Sequence, residues 1–238
     1  MTSTEPLKGK TALVTGGSMG IGRAIATALH ARGVRVILTS RSAETARSVA
    51  TEIGHNATGI ACDVRDPQSV ERLFAELREL FGSLDILVNN AGMAGPNKKI
   101  EDLSLDTWRE LIDINLTGPF LVTRAALPLM HAGGTILFVL SVAAKSVFSG
   151  MGGYAAAKHG ARGLANTLRE ELRPRNIRVI SVLPGATDTD IWQQFWPDAP
   201  RAKMMPPEAI AESAVSAILL PANATVSEIV ITPTGGAL

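Results

Sequence analysis

The sequence has very little cysteine, tyrosine and histidine, and its charges nearly cancel. Among 238 residues there are one Cys, one Tyr and four His, and 23 Lys and Arg stand against 22 Asp and Glu. A single cysteine, Cys62, excludes an internal disulfide framework and is typical of a reducing compartment. A net charge of +1 gives no electrostatic basis for binding nucleic acid or an anionic membrane. The four histidines are scattered without ligand spacing, so we expect no metal site.

Long hydrophobic runs are also missing. Residues 1–10 contain no apolar segment of the kind found in signal peptides, and the apolar stretch 133–144 is too short to span a bilayer. We therefore expect a soluble, cytoplasmic protein. Hydrophobic residues make up 46% of the chain, which is enough for a sizeable core. No linker-like segment interrupts it, so we predict one domain over residues 1–238, with residues 1–8 flexible.

Short apolar runs alternate along the chain with longer segments of helical periodicity, a pattern typical of a parallel sheet. The predicted strands lack strict alternation, as strands covered on both faces do, and they are residues 11–15, 34–38, 59–63, 86–89, 135–140, 177–183 and 228–232. Asp66 and Pro67 predict a helix start, and Gly82 predicts its end. We therefore predict an α/β fold: a single doubly wound Rossmann domain with about seven parallel strands and helices on both faces.

A glycine-rich segment joins the first strand to the first helix. Gly16, Gly20 and Gly22 follow the strand with the spacing GxxxGxG, and a helix starts near Arg23. Glycines allow the backbone to approach a pyrophosphate closely, and a helix N-terminus offers free amides. Glycines also occur in turns for purely structural reasons, but this placement favours a phosphate site for a dinucleotide cofactor.

The end of the second predicted strand bears on which dinucleotide binds. An acidic residue there would bind a ribose 2′-hydroxyl, but this chain has Ser40 and Arg41, and an arginine can pair with a 2′-phosphate. The alternative is an ordinary solvated arginine, and Met19 in the glycine loop supplies no second basic group. The pattern favours NADP over NAD.

Tyr154 is the only tyrosine, and Lys158 follows it four residues later in a stretch that reads as helix. Residues i and i+4 share one helix face, so the phenol and the ammonium are expected to face the same space. A free tyrosine titrates at about pH 10, and a nearby cation favours the phenolate. The pair could therefore exchange a proton with a substrate oxygen. A packed ring beside a solvated lysine is the alternative interpretation.

Together with further motifs, these residues make the chain resemble the short-chain dehydrogenase/reductase family. In chain order the motifs are Thr15-Gly16 with Gly20-Ile21-Gly22, Asn89-Asn90-Ala91-Gly92, Asn115, Ser141, Tyr154 with Lys158, and Pro184-Gly185. The resemblance covers essentially the whole length. Within the family the chain is similar to the 3-oxoacyl-carrier-protein-reductase-like branch, which includes many unrelated substrates.

The resemblance implies four catalytic residues. Tyr154 would act as general acid in reduction and general base in oxidation, and Lys158 would lower its pKa and hold the nicotinamide ribose. Ser141 would hydrogen-bond the substrate oxygen, although two other serines lie nearby and it could simply end its strand. Asn115 would bind a water that feeds protons towards Lys158; without the resemblance it is only a polar helix residue.

The resemblance also implies the cofactor contacts. Asp63 and Val64 would meet the adenine, although from the residues alone Asp63 could equally cap a turn or helix. The full set is Gly16, Ser18, Met19, Gly20, Ile21, Gly22, Ser40, Arg41, Asp63, Val64, Asn90, Ala91, Gly92, Tyr154, Lys158, Pro184, Gly185 and Thr189.

Residues 186–207 are predicted to form a lid over the substrate. This segment carries Trp192, Phe195 and Trp196, which suggests a substrate with an apolar body. Packing of these side chains against the protein's own core or a neighbouring subunit is an equally good interpretation. The helix from Tyr154 onward is rich in small residues, and the resemblance implies a homotetramer, or else a dimer, formed through it.

The leading hypothesis is therefore an NADP-dependent oxidoreductase that interconverts a carbonyl and a secondary alcohol on a small-molecule substrate. Two alternatives remain. One is an NAD-dependent alcohol or steroid dehydrogenase, and the other is a catalytically silent protein that senses NADP. Neither nucleic acid nor membrane is an expected partner.

Overall fold

A computed structural model describes residues 7–236. Within this range a single sheet is built from strands β1 (Thr11–Val14), β2 (Arg35–Ser40), β3 (Ala57–Ala61), β4 (Leu84–Asn89), β5 (Met130–Val139), β6 (Arg178–Pro184) and β7 (Glu228–Ile231). All neighbours run parallel, in the order β3-β2-β1-β4-β5-β6-β7. The predicted doubly wound α/β fold is confirmed, with all seven expected strands in place.

Strand β5 begins five residues before its predicted start. Met130 is buried and pairs with Leu84, but residues 131–133 are exposed. The apolar pattern therefore marks only the part of the strand that is covered on both faces, from Thr135 onward. Hydrophobicity predicts where a strand is buried, and backbone pairing extends beyond that point.

The helices are α1 (Gly20–His30), α2 (Ala43–Ile53), α3 (Pro67–Phe81), α4 (Leu105–Ile112), α5 (Gly118–Ala126), α6 (Gly152–Leu172) and α7 (Pro207–Ile218). The predicted bounds of α3 are confirmed. Asp66 is its N-cap, accepting a hydrogen bond from the Gln68 amide at 3.0 Å, and Gly82 ends it with a φ of 71°. That left-handed conformation suits a residue without a Cβ.

Helices cover both faces of the sheet. Helices α3, α5 and α6 pack on one face around Leu73, Val122 and Ala161, whereas α1 and α7 pack on the other around Ile25 and Ile210. Helix α2 covers the β2 side of this second face. The strand order reverses between β1 and β4, so the loops after these two strands diverge and leave a crevice at their carboxyl ends.

The expected flexible segment 1–8 lies mostly outside the described residues. Of the two residues that are described, Leu7 is buried in the core beside α1 and α7. Across residues 7–236, no helix combines the length and the apolar character that crossing a bilayer requires. Nor do these residues contain a group of three or more His, Cys, Asp or Glu side chains that could hold a metal ion.

Candidate active site

The loop between β1 and α1 is shaped by glycines that tolerate no side chain. Gly16 and Gly20 have φ values of 61° and 52°, in the left-handed region. A Cβ on Gly16 would lie 2.9 Å from the Ala91 Cα, and one on Gly22 would collide with the Asn90 amide. The backbone therefore runs close to the loop after β4 and lies open towards the crevice.

Polar side chains hold this glycine loop against the end of β4. The Asn90 side-chain amide donates to the carbonyl oxygens of Thr15 and Gly16, both at 3.0 Å. The Thr15 hydroxyl accepts from the amides of Asn90 and Ala91 at 3.0 and 3.2 Å. These crossed hydrogen bonds fix the relative positions of the two loops that border the crevice.

The N-terminus of α1 fits an anionic group. Its N-cap residue, Met19, makes no side-chain cap, and the first turn contains no acidic residue. The first amides and the positive end of the helix dipole therefore point into the crevice without a competing carboxylate. Thr189 lies against this loop, because a Cβ on Gly20 would be 3.0 Å from the Thr189 Cγ2. A dinucleotide pyrophosphate is the group that this cradle suits.

Helix α6 brings Tyr154 and Lys158 together on its buried face, as the spacing predicts. The two residues are 7% and 5% exposed, and the Lys158 Nζ lies 5.6 Å from the centre of the tyrosine ring. The ammonium donates to the Val139 carbonyl at 3.2 Å, at the end of β5. Both titratable groups thus stand at the carboxyl end of the sheet with little contact to water.

Burial sets the protonation of this pair. The sequence predicts that Lys158 lowers the pKa of Tyr154, but the larger effect is burial, which raises the pKa of Tyr154 to about 12, and the interaction with Ser141 only partly opposes it. Burial also lowers the pKa of Lys158 to about 8. Desolvation disfavours both charged forms in this enclosure. The phenol is therefore protonated at neutral pH, the form that can donate a proton.

Ser141 lies two residues after the end of β5 and is the N-cap of a one-turn 3-10 helix, Val142–Ala144. Its hydroxyl accepts from the Ala143 amide at 3.1 Å, and its interaction with the Tyr154 phenol lowers the pKa of that phenol against the larger effect of burial. Farther along this loop, Lys145 forms an ion pair with Glu228 of β7 at 2.7 Å. The loop that carries Ser141 is thus tied to the sheet at both ends.

Asn115 lies in a π-helical turn, Asp113–Thr117, that joins α4 to α5. Its side-chain amide donates to the carbonyls of Met93 and Leu111 at 2.9 and 3.0 Å, and its Oδ1 accepts from the Met93 amide at 3.3 Å. A Cβ on Gly92 would lie 2.7 Å from the Asn115 Oδ1 and 3.5 Å from the Lys158 Nζ. Asn115 therefore joins the helix pair to the crevice loop beside Lys158.

The space around the Tyr154 ring is lined by apolar side chains. Ala94 and Ala143 pack against it as buried residues. The partly buried members of this cluster are Phe148, Met151, Ile191 and Phe195. They come from the loop after β5, the start of α6 and the predicted lid, so three separate segments enclose the phenol.

The predicted lid is a loop closed at its base. Thr187 and Met205 form a bridge, and the Asp188 amide donates to the Met205 carbonyl at 2.8 Å. The segment was predicted either to cover the substrate or to pack on the protein's own core, and different residues do each. Phe195 packs in the cluster around Tyr154, whereas Met205 is buried in the core beside α1 and α7. Trp196 is 41% exposed.

Gln194 fixes the lid across the crevice. It ends the 3-10 helix Asp190–Gln194, and its Oε1 accepts from the amides of Ala94 and Gly95 at 3.0 and 3.2 Å. These bonds connect the lid to the loop after β4, directly beside Tyr154. The sequence does not identify Gln194, because Gln193 stands next to it and either glutamine could make such a contact.

Replacing Gln194 with Ala is expected to lower kcat/KM about tenfold, since loss of two hydrogen bonds removes roughly 1–2 kcal/mol from the arrangement that joins the predicted lid to the loop after β4. Steady-state kinetics would measure this. Gln193→Ala is the matched control, because the Gln193 side chain is exposed and makes no hydrogen bond within the described part of the chain. Equal effects of the two substitutions would contradict a specific role for the Gln194 contact.

The far end of the crevice carries the residues predicted to meet the adenosine. Arg41 is exposed and Ser40 half-buried at the end of β2. The Asp63 carboxylate is held by Arg65, with hydrogen bonds as short as 2.7 Å. The Val64 side chain is 5% exposed and lies in the core, so only its backbone could face an adenine.

The sequence interpretation missed Arg65, Gln194 and the glycine-loop bonds of Thr15. The sequence gives a weak indication of the Arg65 contact. Arg65 follows Asp63 by two residues just after β3, so the two side chains could be expected to lie near each other. Pro184 is the last residue of β6 and Gly185 follows it, with the Gly185 amide donating to the Ile231 carbonyl at 2.7 Å.

The chain matches a known protein family and is similar to several characterised and uncharacterised proteins. The family model described as short chain dehydrogenase matches residues 10–200. An uncharacterized oxidoreductase of Staphylococcus aureus (strain MW2) is 33% identical over 230 residues, covering 95% of this chain and 98% of the relative. The 3-oxoacyl-[acyl-carrier-protein] reductase FabG of Salmonella typhimurium is 40% identical over 186 residues, covering 77% and 76%.

Two solved structures are similar over nearly the whole chain. An alcohol dehydrogenase from the archaeon Thermococcus sibiricus, complexed with 5-hydroxy-NADP, has a TM-score of 0.88 at 32% identity and covers 96% of this chain and 98% of its own. A 3-ketoacyl-(acyl-carrier-protein) reductase from Brucella melitensis, complexed with NADH, has a TM-score of 0.88 at 27% identity with the same coverage. These relatives therefore include complexes with both kinds of nicotinamide dinucleotide.

Proposed function

The chain belongs to the short-chain dehydrogenase family of oxidoreductases, and from that premise we propose that it transfers a hydride between NADP(H) and a carbonyl or secondary alcohol. The observation that carries this proposal is the meeting of Ser141, Tyr154 and Lys158 at the carboxyl end of the sheet. The glycine loop and the uncapped start of α1 border the same crevice. A dinucleotide cradle and a buried proton donor are thus next to each other.

The Ser141, Tyr154 and Lys158 side chains would handle the proton. When bound, NADPH supplies the hydride. A substrate carbonyl oxygen would accept hydrogen bonds from the hydroxyls of Tyr154 and Ser141, which orient it and stabilise its developing negative charge. Because the pKa of Tyr154 is about 12, the phenol stays protonated at neutral pH and can transfer its proton to the alkoxide.

Lys158 would assist the proton transfer through its positive charge. Its ammonium lies 5.6 Å from the centre of the Tyr154 ring and would stabilise the phenolate that proton donation leaves. Lys158 would also bind the nicotinamide ribose. Asn115 would position a water molecule that supplies protons to Lys158. The position of the Asn115 carboxamide beside Gly92 and Lys158 supports this arrangement.

The substrate would have an uncharged, apolar body. The hydrophobic side chains packed around Tyr154 are two alanines, two phenylalanines, a methionine and an isoleucine. A charged group placed against these side chains would lose part of its hydration, which favours an apolar substrate body. The lid residue Phe195, next to Trp192 at a ring distance of 4.8 Å, would shield the reacting carbon from water.

The experiment that tests the proposal is a screen of ketones and acyl β-ketones with NADPH and with NADH, following cofactor oxidation and cofactor binding separately. We expect NADPH-dependent reduction of apolar ketones. Binding of NADPH without oxidation by any ketone would instead support a silent sensor. Tighter binding and faster turnover with NADH would support the NAD-dependent dehydrogenase.

Changing Arg41 to Asp is expected to weaken NADPH binding at least ~10-fold relative to NADH, because a charge-assisted bond to phosphate is worth roughly 1.5–3 kcal/mol. Dissociation constants from fluorescence titration would measure the ratio. Arg47→Asp is a charge-matched control, since Arg47 is exposed on α2. An unchanged NADPH-to-NADH ratio in Arg41→Asp would remove the 2′-phosphate assignment.

We also propose that the protein works in the cytoplasm as a homotetramer. Small residues along α6 and the 44% exposure of Phe120 on α5 support association through these two helices. Light scattering is expected to give four copies per particle; a monomer would contradict the proposal.

A further inference from the structure

Arg41 and Asp63 lie side by side at the ends of two neighbouring strands. Ser40 pairs with Ala61 in the β2–β3 ladder, and the Cys62 amide donates to the Ser40 carbonyl at 2.8 Å. The residues that follow on each strand therefore emerge at the same edge of the sheet, where strands are about 5 Å apart. A cation and an anion thus share the end of the crevice that would receive the adenosine.

The Arg41 side chain forms no salt bridge and no hydrogen bond among residues 7–236, although the charge of the Asp63 carboxylate is near enough to interact with it. Arg41 is exposed at the end of β2. A free arginine beside an aspartate would ordinarily form a salt bridge. The absence of that salt bridge indicates that another residue binds the Asp63 carboxylate.

Arg65 holds it. The Arg65 Nε donates to both oxygens of Asp63, at 3.0 and 3.2 Å, and Nη2 donates to Oδ2 at 2.7 Å. The backbone amide of Arg65 adds a fourth bond, to Oδ1 at 3.0 Å. Both carboxylate oxygens are thereby engaged by one fork-shaped guanidinium. Arg65 in turn is fixed by Glu110 of α4, since the Arg65 Nη1 donates to the Glu110 Oε1 at 2.9 Å.

The charges support the same assignment. The pKa of the Asp63 carboxyl is lowered, chiefly by its hydrogen bond to Arg65 and also, at smaller weight, by the charge of Arg41. Asp63 is therefore ionised at neutral pH, and Arg41 is near enough to interact with it. If Arg65 were absent, the carboxylate would be free to pair with Arg41 or to repel an incoming phosphate.

We propose that Arg65 is a positioning residue for cofactor choice: it holds the Asp63 carboxylate so that Arg41 remains free to pair with a phosphate on the adenosine ribose. This inference rests on the proposed use of NADP. Arg65 does not touch the phosphate in this account. It acts by removing a competing anion, so its effect depends on Asp63 being present.

A purely structural role for Arg65 predicts something different. Arg65 connects the loop after β3 to α4 through Glu110, and loss of that tie would disturb the adenosine end for every nucleotide. NADPH and NADH would then weaken together. The positioning role instead predicts a loss specific to the 2′-phosphate that disappears when the carboxylate is neutralised.

The experiment measures dissociation constants of NADPH and NADH by fluorescence titration for the wild-type protein and five variants. For Arg65→Gln we expect NADPH to bind about tenfold more weakly relative to NADH. Arg65→Lys, which keeps the charge but loses the fork, is expected to show a smaller shift in the same direction. In the double variant Asp63→Asn with Arg65→Gln, the wild-type ratio should return. Glu110→Gln is the control that breaks the other ion pair of Arg65, and its ratio should stay unchanged. Arg41→Asp reports on the phosphate contact itself.

Two outcomes separate this inference from the proposed function. A wild-type preference for NADPH that survives Arg65→Gln, or a shift that Asp63→Asn does not reverse, would overturn the inference alone. A wild-type protein that binds both cofactors equally, with no change in Arg41→Asp, would overturn the proposed choice of NADP and the inference with it.

Discussion

Replacing Tyr154 with Phe is expected to lower turnover by at least ~10²-fold, in the range for loss of a general acid. The substitution removes one hydroxyl from a ring that is 7% exposed, and the apolar packing of Ala94, Ala143 and Phe195 around the ring stays in place. Only the proton donor is lost. The binding of NADPH should therefore weaken much less than turnover, because only one of the predicted cofactor contacts is lost and the glycine loop, Arg41 and Lys158 are unchanged.

This prediction is checked with the best ketone of the screen, by single-turnover kinetics together with an NADPH titration. Ser146→Ala provides a control, since it removes an exposed hydroxyl from the nearby loop after β5. Near-native turnover in Tyr154→Phe would refute the assignment of the proton donor. A parallel loss of NADPH binding would show that the phenol acts in binding rather than in chemistry.

Replacing Lys158 with Met is expected to stabilise the protein while lowering turnover by at least ~10²-fold. Burial lowers the pKa of Lys158 from 10.5 to about 8, so the charged form is disfavoured in the folded chain. At neutral pH this burial costs on the order of 3 kcal/mol, and the bond to Val139 returns about 1 kcal/mol. A methionine of similar length should therefore raise the free energy of unfolding by roughly 1–3 kcal/mol.

The pH dependence of stability gives this prediction a second measurement. Between pH 8 and about 10 the unfolded chain keeps the Lys158 proton that the folded chain has lost, so wild-type stability rises with pH. The variant should lack that contribution. Urea unfolding at several pH values measures the difference, with the exposed Lys98→Met as control. Two results would contradict the claim that desolvation of Lys158 destabilises the folded chain. One is a Lys158→Met variant that is less stable than the wild type, and the other is a variant whose unfolding free energy changes with pH as steeply as that of the wild type.

Much of the fold follows from local chemistry in the sequence. The seven apolar runs predict the strands because both faces of this sheet are covered, and Asp66 and Gly82 delimit α3 because capping depends on residues a few positions apart. The pair Tyr154 and Lys158 is equally predictable, since helix geometry alone puts them on one face. In each case the interaction is set within a short stretch of chain.

The features that could not be predicted depend on contacts between distant segments. The bond between Gln194 and the Ala94 amide joins residues 100 positions apart, and Arg65 meets Glu110 across 45 positions. The raised pKa of Tyr154 could not be predicted for the same reason. Spacing shows that a cation is near, but only the packed enclosure shows that desolvation outweighs it.

The central claim is that the Tyr154 hydroxyl delivers its proton to a carbonyl oxygen held next to the nicotinamide. The most direct test is a crystal structure of the Tyr154→Phe protein and of the wild type, each with NADP and a bound ketone or its alcohol. The account predicts that the wild-type hydroxyl lies within about 2.6–3.2 Å of the substrate oxygen, with Ser141 as its second partner. A substrate oxygen bound elsewhere, with the phenol turned away from the nicotinamide, would contradict it.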